Sequence, residues 1–162
     1  MPGLHISSHF DAGAIEVISL TDPQDIQLYL RRDNASDVDL NLDAHGDEGL
    51  PYNFCVGTED TPGYTPRLAA LADAFRACWL AASPDFQTTH GYPRGKDGDA
   101  NMTLATNWIG QQFDCLAFTI EMPFKDNADL PDVRVSWNGE RSKHLGASVL
   151  LPLQAVVDQL RV

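Results

Sequence analysis

The sequence predicts an α/β fold, and three observations carry that expectation. Asp37–Asp43 alternates apolar and polar residues as a strand does, and Cys115–Ile120 is a short apolar run suited to a buried strand. Between them Leu68, Leu71, Ala72, Phe75, Cys78 and Trp79 recur at helical spacing, and a second helical pattern closes the chain. Strands alternating with helices imply a layered architecture with chemistry gathered at strand ends.

Taken in order, Ala14–Leu20 and Ile26–Arg31 alternate like strands, and Thr21-Asp22-Pro23 between them is turn chemistry, so a hairpin is expected. A lone hairpin is marginal in water, so it needs partners. The polar stretch Arg31–Ser36 breaks the composition, and a boundary is placed near Ser36: residues 1–36 form one unit and 37–162 another. Thr65-Pro66 supplies a cap and a first-turn proline for a helix to about Ala82. Ser83–Gly98, rich in Gly, Pro and polar residues, reads as a long loop of the kind that often carries function. A second helix is expected over Asn101–Gly110, a loop over Asn127–Asn138, and a last helix over Glu140–Arg161 interrupted at Pro152.

Composition narrows the function. The chain has 162 residues, enough for one ordinary domain, and its 43% apolar content suits a packed core. Eleven basic against 23 acidic residues give a net charge of −12. Such a surface repels phosphate backbones and anionic membrane, so no nucleic-acid or membrane partner is expected. No apolar run approaches the ~20 residues of a membrane span. The N-terminus has no signal-peptide pattern, and Cys55, Cys78 and Cys115 form no close pair, so reduced thiols in a cytoplasmic setting are expected.

Two residues stand out at the ends of expected strands. His45, followed by Gly46, can aim a ring nitrogen into a cleft and serve zinc, with Asp43 orienting the ring if the strand continues that far. The competing account is a histidine that hydrogen-bonds a loop. Glu121 follows an apolar run, where desolvation raises a carboxylate pKa toward the range a general base needs. The competing account there is a salt bridge with Lys125 or Arg141. His45-x-x-Glu48 also has the spacing of paired zinc ligands, but it needs His90 or His144 as a distant partner, and only a helical tail follows His144. That pairing is disfavoured.

Asp43–Phe54 (Asp-Ala-His-Gly-Asp-Glu-Gly-Leu-Pro-Tyr-Asn-Phe) resembles the segment bearing the third zinc ligand in zinc carboxypeptidases of the bacterial cytosolic-carboxypeptidase-like branch. Phe118–Asp126 resembles that branch's segment with the catalytic glutamate, and Ser83–Gln87 and Ala100–Thr103 fit the same pattern. Phe10–Val17 and Leu28–Ala35 resemble the opening of the small β-sandwich domain that precedes catalysis in this branch. The resemblance implies the C-terminal half of a mixed-sheet zinc carboxypeptidase domain, preceded by a two-strand remnant of a β-sandwich domain.

The implied activity is zinc-dependent release of C-terminal amino acids from peptides or proteins. His45 is the implied zinc ligand. Glu121 is the implied base, taking a proton from zinc-bound water and passing it to the leaving amine. Tyr92 and Arg94 in the long loop are implied substrate contacts, and Lys96 a partner for an acidic terminal side chain. The family's His-Pro-Gly-Glu motif, with two zinc ligands, and its Asn-Arg clamp for the substrate carboxylate have no counterpart here. The chain therefore reads as internally truncated and is expected to be inactive, with zinc binding in doubt. The alternative is a non-catalytic remnant that binds other chains or self-associates through an open sheet edge.

Overall fold

A computed structural model describes residues 6–10, 13–19 and 26–31 as backbone strands and residues 38–160 in full. The elements are β1 (Ile6–Phe10), β2 (Gly13–Ser19), β3 (Ile26–Arg31), β4 (Leu40–Asp47), β5 (Phe54–Val56), α1 (Pro66–Ala82), α2 (Ala105–Phe113), β6 (Leu116–Pro123), α3 (Gly139–Ser148) and α4 (Leu150–Val156), with a 3-10 turn at Val157–Gln159. The fold is α/β. One mixed sheet has the order β1-β2-β3-β4-β6-β5. β4 and β6 are parallel; the other neighbours are antiparallel.

The two expected N-terminal strands are present as β2 and β3, and β1 adds a strand to them. The expected turn at Thr21-Asp22-Pro23 and the boundary at Ser36 lie outside the described residues. β3 pairs with β4 from Leu30–Leu40 to Ile26–Ala44, so this edge of β4 is occupied, and the outer edges of the sheet are β1 and β5.

Alternation along β4 and β6 sorts their side chains between two layers. Leu40, Leu42, Leu116, Phe118 and Ile120 join Phe75 and Trp79 of α1, Leu145 of α3 and Val156 of α4 in the main core. Trp79 is fully buried, stacks on Phe86 at 4.0 Å and donates its indole N–H to Ser148 Oγ at 2.8 Å. The other layer holds Asn41, Asp43, His45 and Asp47 from β4 and Thr119 and Glu121 from β6. Part of it is covered by α2, where Thr106 Oγ1 lies 2.8 Å from Thr119 Oγ1. Asn41 is completely buried there, and neither of its amide atoms has a hydrogen-bond partner among the described residues.

Helix α1 follows the sequence pattern. Thr65 Oγ1 accepts the Leu68 N–H at 3.2 Å, Pro66 opens the first turn, and Leu68, Leu71, Ala72, Phe75 and Trp79 form the buried stripe. Three expectations are corrected. β4 runs to Asp47 and β6 to Pro123, so His45 and Glu121 stand on strands and not after them. α2 covers Ala105–Phe113 and not Asn101–Gly110, because Asn101 is spent on a turn, its Oδ1 accepting from the backbone N–H of Thr103. The final helix breaks at Val149 and not at Pro152. Pro152 sits in the first turn of α4, where an N–H has no helical partner to lose, and its ring opposes continuation from the Ser148 carbonyl.

Candidate functional site

Parallel pairing of β4 with β6 puts His45 directly opposite Glu121, and Asp43 opposite Thr119. All four side chains face the α2 layer, where a cleft of about 620 Å³ opens. Its floor is Asp43, His45, Asp47, Thr119 and Glu121, and its rim includes Glu48, Tyr92 and Thr103–Thr106. Among the described residues no Lys or Arg lines it.

His45 is half-buried. Its Nε2 lies 3.0 Å from Asp43 Oδ1, the contact expected of residues two apart on a continuing strand. Gly46 follows, with the ring of Phe124 packed where a Cβ would stand. Asp47 is buried; its Oδ1 accepts the Gly49 N–H at 2.7 Å and its Oδ2 the Tyr92 hydroxyl at 3.2 Å. The same hydroxyl lies 3.4 Å from Glu121 Oε1, so one proton is placed between two carboxylates. Burial is the main force pushing the Glu121 pKa above the usual carboxylate range. His45 pulls it down, Asp47 pushes it further up, the Tyr92 hydrogen bond lowers it, and Asp43 raises it. Burial, then the charges of Glu121 and Asp47, raise the Tyr92 hydroxyl above its ordinary value.

The other sequence candidates separate. Tyr92 reaches the cleft, its ring edge meeting Phe54 at 5.2 Å. Arg94 does not; it points to Asp60 Oδ1 at 3.4 Å and lines a separate hollow with Glu59 and Tyr64. Lys96 is exposed and lines neither. The salt-bridge account of Glu121 with Arg141 does not hold, because Arg141 is committed to Asp85 and Asp126. His90 stacks on Tyr52 at 4.1 Å and His144 is exposed on α3. Asp47 is the residue that sequence reading undervalued. Its signal was the period-two run Asn41, Asp43, His45, Asp47, which needed only a longer strand. The α2 rim had no such signal.

A metal site needs about three protein donors converging on one point. Among the described residues no group of three His, Cys, Asp or Glu is arranged to hold a metal ion. The Nε2 of the single imidazole at the cleft already faces Asp43. A three-donor zinc site does not fit the side chains present. Also among the described residues, no helix is long and apolar enough to cross a membrane.

Comparison with known proteins places this geometry. No protein-family model matches the chain. It is 39% identical over 125 residues to an uncharacterized protein of Zymomonas mobilis, covering 77% of this chain and 33% of that one. A metallo-carboxypeptidase from Pseudomonas aeruginosa, solved with (2-guanidinoethylmercapto)succinic acid, superposes with a TM-score of 0.74 at 55% identity, over 76% of this chain and 33% of its own. A metallo-carboxypeptidase from Burkholderia cenocepacia gives a TM-score of 0.69 at 51% identity, over 72% and 31%. The chain thus spans about a third of the length of each of these relatives. Over about three-quarters of its own length it has the carboxypeptidase fold.

Proposed function

We propose that this chain is a carboxypeptidase-type cleft for peptide C-termini that does not hydrolyse them on its own. One observation carries the reading. His45 and Glu121 stand opposite each other on the floor of one cleft, yet among the described residues no set of three metal donors surrounds them. In this reading His45 descends from a metal-binding imidazole and Glu121 from the proton acceptor beside it. With one imidazole, zinc is not retained against water and cellular competitors. In this reading the other ligands and the carboxylate clamp belong to a segment that has no counterpart among these residues.

The charge of the cleft supports a ligand class. Asp43, Asp47, Glu48 and Glu121 line it without a compensating Lys or Arg among the described residues, which favours a cationic terminal side chain over an acidic one. The guanidino compound bound to the Pseudomonas relative has that character. A cytoplasmic location fits the three cysteines, which form no close pair in sequence.

The test uses purified chain, an arginine-terminated peptide, and buffers with and without added zinc. Calorimetry is expected to show weak, salt-sensitive peptide binding and no tight zinc binding, with no amino acid released. Release that a chelator and Glu121→Gln both abolish would overturn the inactive reading. Absence of peptide binding would overturn the recognition reading.

A second reading is self-association. Leu104 and, one turn along α2, Trp108 are 55% and 52% exposed, and Leu104 is at the rim of the cleft. Sedimentation that finds a monomer at every concentration removes it.

A further inference from the structure

The loop that brings Tyr92 to the cleft is held from inside by Gln87. This side chain is only 9% exposed. Its Oε1 accepts the backbone N–H groups of Thr89 at 2.7 Å and His90 at 2.6 Å. Its Nε2 donates to the carbonyls of Asn53 at 3.2 Å and His90 at 2.9 Å. Two donors and two acceptors are thus all used, the full capacity of a primary amide. The Gln87 backbone N–H donates to the same Asn53 carbonyl at 3.2 Å. Asn53 directly precedes Phe54, whose ring meets Tyr92. One side chain therefore closes the turn Gln87–His90 and ties it to the start of β5, two residues before Tyr92.

We propose that Gln87 is a positioning residue of the cleft: by closing this turn against Asn53 it holds the Tyr92 hydroxyl between Asp47 and Glu121. The inference deepens, and rests on, the reading of the cleft as the peptide site. Other ties flank Tyr92: His90 stacks on Tyr52, and beyond Tyr92 the Asp60 carboxylate holds Arg94 and accepts the Gly95 N–H. Arg141 and Asn127 grip the loop at Asp85, seven residues from Tyr92, and Phe86 anchors it on Trp79. Among the described residues, the hydrogen bonds to the His90 backbone come from Gln87. Glutamate in its place keeps an acceptor oxygen and lacks the N–H donors; leucine keeps neither.

The experiment labels the tyrosines of the full chain with carbon-13 at Cζ and reads their NMR resonances, with Tyr92 assigned by Tyr92→Phe. In Gln87→Leu the Tyr92 signal is expected to move to the position of a solvent-exposed tyrosine. Gln87→Glu is expected to move it part of the way. Arg67→Gln, which cuts ties to Asp114 and Leu160 away from the loop, is expected to leave it in place. An unmoved Tyr92 signal in a folded Gln87 variant overturns the proposal, as does an equal movement in Arg67→Gln. If Gln87→Leu does not fold, Gln87→Glu carries the test. Titrating the wild-type chain with an arginine-terminated peptide tests the cleft separately. A Tyr92 signal that the peptide leaves unmoved counts against the peptide site and leaves the Gln87 result standing.

Discussion

The ring of Phe124 occupies the space that a side chain at Gly46 would need, one residue beyond His45 on β4. The Phe124 N–H donates to the Asp47 carbonyl at 3.3 Å, so the parallel pairing of β6 with β4 extends to Phe124. Gly46→Ala is expected to destabilise the protein by about 1–3 kcal/mol, the usual cost of overpacking. Phe124 is 57% exposed and can swing outward, which favours the lower end. Phe124→Ala should therefore rescue Gly46→Ala in a double-mutant cycle read by urea unfolding. Equal costs of Gly46→Ala with and without the ring would show that the contact is not the cause.

Arg141 joins three segments. Its guanidinium pairs with Asp85 and with Asp126 (3.1 Å), donates to the Leu130 carbonyl at 2.8 Å and lies 4.9 Å from the centre of the Trp137 ring. The group is largely buried, and removing it leaves the Asp85 and Asp126 carboxylates, which keep hydrogen bonds from Asn127 and Asp132, without the cation that pairs them. Arg141→Ala is expected to cost about 3–5 kcal/mol in chemical unfolding. Arg141→Lys keeps the charge and loses the planar fork, so it should recover only part of that. A cost below about 1 kcal/mol for the alanine variant would place this network with ordinary surface pairs.

Asn41 gives the opposite sign. Its amide is buried with no partner among the described residues, a situation that costs about 1–3 kcal/mol. Asn41→Leu, which keeps the branching and the number of heavy atoms, is expected to leave stability unchanged or raise it. A marked loss in thermal midpoint would mean that the amide is satisfied in solution.

Glu121 makes stability depend on pH. Its folded pKa is raised, chiefly by burial, so the folded chain binds that proton more tightly than the unfolded chain. The stability it contributes is complete below the unfolded carboxylate pKa and is lost as pH climbs through the higher folded value. In metal-free buffer the wild type should therefore lose stability relative to Glu121→Gln as pH rises across that interval. Unfolding curves taken between about pH 4 and 8 check this. Curves that stay parallel would mean that His45 and the Tyr92 hydroxyl fully offset the effect of burial, Asp47 and Asp43.

Much of this was legible in the residues. α1 announced itself through Thr65, Pro66 and an apolar stripe, because caps and periodicity are local. The family resemblance singled out His45 and Glu121, and the pairing of β4 with β6 sets them opposite each other. Arg94 and Lys96 lie away from the cleft because a loop's path depends on distant anchors. Asp60 draws Arg94 away from the cleft, and no local pattern encodes that. The β5 strand was invisible, since Phe54–Val56 is too short to show alternation and exists by pairing with β6. The break at Val149 was displaced from Pro152 because a proline acts on the turn before it.

The strand β4 is where the sheet changes polarity, with β6 parallel on one flank and β3 antiparallel on the other. A polypeptide begun at Val38 would keep the cleft-lining residues but lay bare the backbone from Leu40 to Ala44 that β3 now covers. Such a stripped flank recruits whatever extended chain is nearest, including a sibling molecule. The opening segment thus shields a seam as well as lengthening the sheet, and trimming it is expected to turn a well-behaved solution into a precipitate.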